Sequence, residues 1–301
     1  MTYRRRPRPG LLARFAPLTH GRLTGSLIRH EVPHLLQPRQ PVAHSEFVDR
    51  FGAKANAYAA YRPTYPKELF AYLAETAPAH SLAWDCATGS GQAAVGLAER
   101  FEQVIGTDAS ANQIAEAVAH PRVQYLVATA ESSGLRDASV DLCTVAQALH
   151  WFNLEKFYAE VRRVLVPGGV LAVWTYSAIG LDEETIDRHM QHFYSGVVGP
   201  YWPRERRLVE SGYRALSFPF KDIEAPVFAL QAEWSLDRLL GYVRTWSAVS
   251  RYTLERGSDP VIELDELLRA LWGPPDRRRR VYWPMSLRLG RKPVNGTTEC
   301  A

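Results

Sequence analysis

The chain has 301 residues, 46% of them hydrophobic and 23% charged, the proportions of an ordinary soluble globular protein with one large domain or two small ones. No run of about 18 apolar residues occurs, which excludes a helical membrane span. The three cysteines, Cys86, Cys143 and Cys300, are scattered and odd in number; this excludes a disulfide framework or a cysteine-based zinc site and fits a reducing, cytoplasmic setting. The net charge of +4 conceals a division along the chain. Residues 1–45 carry eight Arg against one acid, residues 273–301 carry seven Arg or Lys against two acids, and residues 46–272 carry 21 basic against 29 acidic side chains. An acidic centre excludes a broad nucleic-acid footprint.

Residues 1–45 are rich in Arg and Pro and show neither a helical nor a strand period, so they are expected to form a disordered extension outside the fold. Ser is scarce there and Pro interrupts any amphipathic helix, which sets the segment apart from a transit peptide. From Phe47 a regular pattern begins. "EFVDRFGAKANAYAAY" reads as a helix stopped by "RPTYP", and "KELFAYLAETA" as a second helix with Leu69, Tyr72 and Leu73 on one face. "SLAWDC" is a strand, "QAAVGLAERF" a helix and "QVIGTDAS" a strand ending in an acid. Ser110 can cap the next helix, "ANQIAEAVA". "VQYLVAT" and "VDLCTVAQAL" are strands, the second rich in β-branched and apolar residues. Asn153 caps the helix "LEKFYAEVRRVL", and "PGG" leads into the strand "VLAVWTY". Strands and helices thus alternate at least four times, which predicts an α/β, doubly wound Rossmann-like sheet, mostly parallel, with helices on both faces.

The rhythm breaks at 181–280, where helices are expected near 182–195, 235–248 and 261–272 among four tryptophans, Trp202, Trp234, Trp246 and Trp272. Beyond "RRRR", the run "VYWPMSLRLG" reads as one more strand. The expected organisation is therefore an extension at 1–45, a core at 46–180, a helical cap insertion at 181–280, a final core strand at 281–291 and a tail at 292–301.

The stretch "WDCATGSGQAA" follows the first core strand with an acid, small residues and two glycines, so something approaches its backbone closely. A nucleoside-triphosphate loop requires Gly-Lys-Ser/Thr, and Gly91 is followed by Gln92. "GSGQAA" formally fits the dinucleotide fingerprint, with Asp108 placed 19 residues after Gly89. Asp85 speaks against it, because a desolvated carboxylate repels a pyrophosphate and suits a ligand carrying an ammonium group.

"WDCATGSGQAA", "GTDAS", "ATAES", "AQALHWF" and "RVLVPGGVLAVW" together resemble the successive motifs of the class I S-adenosylmethionine-dependent methyltransferases. The likeness is strongest to the type 11 group that includes trans-aconitate methyltransferase-like proteins, and it extends over roughly residues 46–291 through "YAAYRPTYP", "YVRTWSAVSRY" and "WPMSLRLGR". The resemblance implies S-adenosylmethionine as cofactor, with Asp85, Thr88, Gly89 and Gly91 around its amino-acid end. It implies Asp108 and Ala109 at the ribose, Thr129, Ala130 and Glu131 near the adenine, and Gln147 and Trp151 on the methionine side. The chain departs from the family pattern in two places: Ala87 stands where a glycine is frequent, and Thr129 where an acid often meets the adenine amine.

A sulfonium methyl is already electrophilic, so alignment suffices and no metal is required. A base is needed only if the acceptor must lose a proton, and His150 is the candidate for that role. The expected partner is a small-molecule acceptor, with a carboxylic acid as the candidate class and neither nucleic acid nor membrane involved. A carboxylate acceptor calls for a guanidinium, for which Arg62, Arg244 and Arg251 are candidates, with Tyr58, Tyr61, Tyr176 and Trp246 as an aromatic wall. Two other classes fit the same fold: an NAD-dependent oxidoreductase and a nonenzymatic nucleotide-binding protein.

Overall fold

The computed structural model describes residues 63–274 and 276–294. The expected extension at 1–45, the helix "EFVDRFGAKANAYAAY" and the candidates Tyr58, Tyr61 and Arg62 lie outside the described residues. The core elements run α1 (Lys67–Thr76), β1 (Leu82–Cys86), α2 (Gln92–Ala98), β2 (Gln103–Asp108), α3 (Ala111–Ala115), β3 (Val123–Val127), β4 (Val140–Ala146), α4 (Leu154–Val164) and β5 (Leu165–Tyr176). After them come β6 (Gly180–Leu181), α5 (Glu184–His192), α6 (Arg206–Glu210), β7 (Asp222–Ile223) and β8 (Ala229–Trp234). The chain ends in α7 (Leu236–Arg244), α8 (Ser247–Arg256), α9 (Val261–Trp272) and β9 (Arg279–Arg291).

The sheet order is β3-β2-β1-β4-β5-β9-β6. Strands β1 to β5 are parallel and β9 runs antiparallel to β5. Both faces of the parallel part are covered, as its continuous apolar strands require. β1 is buried along its whole length, and in β5 alternate residues serve opposite faces. Val170, Ala172, Trp174 and Tyr176 join the cluster built with Leu69, Leu73 and Leu97, whereas Leu171 and Val173 join Phe157, Val161 and Val164 of α4. Asp141 fixes the start of β1 by accepting hydrogen bonds from the backbone amides of Ser81 (2.9 Å) and Leu82 (3.0 Å). Two helices begin as their caps dictate. The Ser110 side chain accepts from the Gln113 amide, and Asn153 accepts from the Lys156 amide.

Two expectations for 181–280 are corrected. The insertion is not purely helical, since β7 and β8 lie inside it and both pair antiparallel with β9, which begins at Arg279 rather than Val281. The single helix expected at 235–248 is two. The Thr245 hydroxyl takes the Tyr242 carbonyl (2.6 Å), and Trp246 turns the chain in an extended conformation before α8 begins. Leu236, Leu239, Leu240 and Val243 of α7 are buried together, the face that their spacing predicts.

Candidate functional site

The strand order brings the carboxyl ends of β1, β2, β3, β4 and β5 to one edge of the sheet, the edge where open α/β folds bind ligands. Asp85 stands there in register with Gly106 of β2 and Thr144 of β4. It is 1% exposed. The Thr88 hydroxyl donates to its Oδ2 (2.6 Å) and the Thr144 hydroxyl to its Oδ1 (2.8 Å). Burial, opposed by these two hydroxyls, pushes its pKa up to about 6. No salt bridge reaches it among the described residues, so this is a buried carboxylate without a cation.

The loop after Asp85 turns through three left-handed residues, Ala87 (φ 55°), Gly89 (φ 55°) and Gly91 (φ 83°). The Thr88 amide anchors it to the Thr107 carbonyl (2.9 Å). Gly91 has a specific reason: a Cβ there would sit 2.1 Å from the Tyr125 hydroxyl. The close approach inferred from the sequence at this glycine is thus made by a side chain of β3. Asp108, half-buried at the end of β2, accepts from the Gly89 amide (2.9 Å) through Oδ2 and from the Ser110 amide (2.9 Å) through Oδ1. Asp108 thus joins the glycine loop to the start of α3. Ala109 follows it, half-buried.

Beyond β3 the Ala128 amide bonds the Asp108 carbonyl (3.0 Å), which places the segment Thr129–Glu131 beside the end of β2. Thr129 pairs with Ser132 in a bridge, Ala130 is buried, and Glu131 accepts from the Asn153 amide (2.9 Å) at the start of α4. At the end of β4, Gln147 takes a left-handed φ of 56° and ties β4 to β5. Its amide bonds the Trp174 carbonyl (3.0 Å), and its side chain donates to the Tyr176 carbonyl (3.4 Å). A strained non-glycine backbone at a ligand edge is typical of functional positions. Trp151, 39% exposed, stands open beside it, and Tyr176 is buried.

His150 sits between Trp151 and Tyr213, with its Nδ1 2.7 Å from the Tyr213 hydroxyl. Burial pushes its pKa down to about 4, so the ring is neutral near pH 7. The Tyr213 contact occupies Nδ1 of the ring. A ring with so low a pKa, engaged at Nδ1, is a weak base near neutral pH, which weighs against the role considered for it from the sequence.

The acceptor-side candidates of the insertion are dispersed. Trp246 is buried in an aromatic cluster with Phe193, Tyr194, Trp202 and Tyr242, at centroid distances of 5.5 to 6.3 Å. Arg251 is exposed on α8, and Arg244 pairs with Asp259 (3.3 Å). Sequence reasoning passed over Thr144, Tyr125, Tyr213 and Arg206. Thr144 had a signal, as a polar residue inside an apolar strand run. Tyr213 and Arg206 had none, because no period or motif surrounds them.

A sheet in this order, with a glycine loop after β1 and acids ending β1 and β2, defines the class I methyltransferase fold. Comparison with known proteins agrees. The methyltransferase domain family matches residues 84–173. A Dictyostelium discoideum protein described as a methyltransferase is 32% identical over 256 residues, 82% of this chain and 97% of its own length. A Saccharomyces cerevisiae protein described as an S-adenosylmethionine-dependent methyltransferase is 26% identical over 237 residues, 67% of this chain and 81% of its own. A solved structure from Anaeromyxobacter dehalogenans, described as a type II methyltransferase, is 49% identical, covers 77% of this chain and 99% of that one, and superposes with a TM-score of 0.75. The chain belongs to the class I S-adenosylmethionine-dependent methyltransferases, with S-adenosylmethionine as methyl donor.

Proposed function

We propose that the protein transfers the methyl group of S-adenosylmethionine to an oxygen of a small carboxylic acid, the class to which trans-aconitate belongs. One observation carries the choice: the His150 imidazole, the titratable side chain of the "ALHWF" segment, is pushed by burial to a pKa of about 4 and has its Nδ1 engaged by the Tyr213 hydroxyl (2.7 Å), which makes it a weak base for an acceptor proton. An acceptor that is already ionised near pH 7 needs no base. Bound at the strand edge, the donor supplies a methyl carbon on a sulfonium.

The residues then divide the work. Asp85, a buried carboxylate lacking a cation, fits the positive end of the methionine moiety, and pairing with it relieves the cost of burying the charge. Asp108, the acid that ends β2 beside the glycine loop, accepts from the ribose diol. Thr88, Gly89 and Gly91 line the amino-acid end, Ala109 the ribose and Thr129 to Glu131 the adenine, and Gln147 and Trp151 close the methionine side. The insertion at 181–280 covers the acceptor, with Tyr176 at the point where the chain leaves the core. A screen of small carboxylic acids with labelled donor, read by mass spectrometry, tests this. Methyl esters are the expected products. Transfer only to amines, phenols or carbon acids would overturn the carboxylate reading while leaving the enzyme class intact. A thermal-shift comparison with NAD separates the oxidoreductase alternative, because a ligand that binds only the folded state raises its stability.

A further inference from the structure

The first residue of α6, Arg206, carries a guanidinium that the fold shelters but does not saturate. Its side chain is 21% exposed. Nε donates to the Tyr194 hydroxyl (2.9 Å), and the guanidinium carbon lies 4.9 Å from the Trp202 ring centroid and 5.7 Å from that of Tyr194. The nearest carboxylate, that of Glu210, is 3.6 Å from Nε and spends its Oε1 on the Tyr194 hydroxyl at 2.5 Å. Among the described residues no acceptor makes a hydrogen bond to either Nη. Neither Nη is among the buried atoms without a partner, so both reach solvent and are available to a planar anion.

Its position is informative. The Thr175 hydroxyl of β5 donates to the Val209 carbonyl of α6 (3.1 Å), and the Trp174 carbonyl of the same strand takes the Gln147 amide (3.0 Å), so the helix that carries Arg206 packs against the strand end beside the Gln147–Trp151 segment. Tyr213 has a left-handed φ of 60° and is buried, fixed by its bond to His150. The cation is therefore part of the insertion yet adjoins the core edge. Arg244 is paired with Asp259 and Arg251 is exposed on α8, so Arg206 offers the shelter that these two candidates lack.

We propose that Arg206 is a specificity-determining residue that grips an anionic group of the acceptor through Nη1 and Nη2, remote from the oxygen that is methylated. This rests on the reading above and adds that the acceptor carries a second anionic group. Trp202 and Tyr194 stack under the fork and keep it planar to the incoming carboxylate. At the other end of the acceptor a carboxylate oxygen forms a bond to the methyl carbon. The carbon–sulfur bond breaks and its electron pair leaves with the thioether. The reacting carboxylate and the sulfonium become a neutral ester group and a neutral sulfide, the second anionic group keeps its charge at Arg206, and no proton moves.

The test compares the wild type with Arg206→Gln, Arg206→Lys and Glu210→Gln, using succinate, citrate, benzoate and the monoamide of succinate. Binding is measured calorimetrically with S-adenosylhomocysteine present, and turnover with the methyl donor. Replacing the fork by Gln is expected to weaken binding of, and raise KM for, the acids with two or more carboxylates by at least about tenfold, with kcat and donor affinity little changed. Benzoate and the monoamide should respond much less. Lys should rescue in part, and Glu210→Gln, which removes the competing carboxylate, should tighten polyacid binding. If no acid in the panel is methylated but succinate or citrate binding still depends on Arg206, the proposed reaction fails and the anion site stands. If Gln and Lys bind and turn over every acid as the wild type does, or if the wild type binds none of the acids, the role given to Arg206 is overturned. Melting curves of all four proteins identify any variant whose losses come from unfolding, in which case Glu210→Gln decides.

Discussion

The edge formed by β1 to β4 and the insertion after β5 are built in opposite ways. At the edge, backbone register does the placing. Asp85 faces Gly106 and Thr144 because three parallel strands pair, and Asp108 holds the loop through two amides less than 20 residues away. In the insertion, ring contacts and ion pairs between distant segments do the placing: Trp246 against Tyr194 and Trp202, Arg206 against Tyr194, Tyr213 against His150. A donor shared by a whole enzyme class suits the first construction and leaves a local motif. An acceptor peculiar to one enzyme suits the second, and its site leaves almost none.

The largest test of this division is Trp246→Ala. Loss of a buried tryptophan from its cluster is expected to cost about 3–5 kcal/mol of stability, read by denaturant unfolding. At temperatures where the variant is folded, donor affinity should match the wild type. A parallel loss of donor affinity would show that edge and insertion form one unit.

Asp85→Asn should move the two properties in opposite directions. The folded-state pKa of about 6 lies above the ordinary 3.8, so near pH 8 the ionised carboxyl destabilises the protein without its ligand. Removing that charge is expected to gain up to about 3 kcal/mol, at 1.36 kcal/mol per unit of pKa, while donor binding collapses. A variant that binds the donor normally would remove Asp85 from the site.

The pH dependence of stability carries two opposing contributions. For Asp85 the folded pKa is raised, so stability rises as pH falls from about 6 toward 3.8. For His150 the folded pKa of about 4 lies below the ordinary 6.5, so its contribution is present above 6.5 and is lost as pH falls from there toward 4. His150→Gln should lose less stability than the wild type between pH 7 and 5, and Asp85→Asn should lose more. Identical slopes would show that neither group titrates as its surroundings imply.

The smallest effect is expected from Tyr213→Phe, which leaves Nδ1 of His150 without its partner. About 1 kcal/mol of stability should go, along with a change in the acceptor turnover rate but not in donor affinity.

This contrast also explains what was legible in the sequence. The alternation of strands and helices, the caps at Ser110 and Asn153 and the acids ending β1 and β2 are local patterns, and each is present in the fold. The α7 face was legible from its spacing, but the break before α8 was not, because it depends on where Trp246 finds its aromatic neighbours. β7 and β8 were missed because they are short, carry only a weak alternation and exist by pairing with β9, about 50–70 residues further along the chain. Arg206 looks like one more exposed arginine in "WPRERRLVE" until the fold shelters its guanidinium against Trp202 and Tyr194.

The central claim is that the donor binds where β1 and β2 end. Calorimetric titration of S-adenosylmethionine into the wild type and Asp108→Asn tests it most directly, since Asn keeps the size of the side chain and removes its charge. The account predicts one binding event per chain in the wild type and at least about tenfold weaker binding in the variant, the loss expected for a charged acceptor. Equal affinity in the two proteins, with both folded, would contradict it.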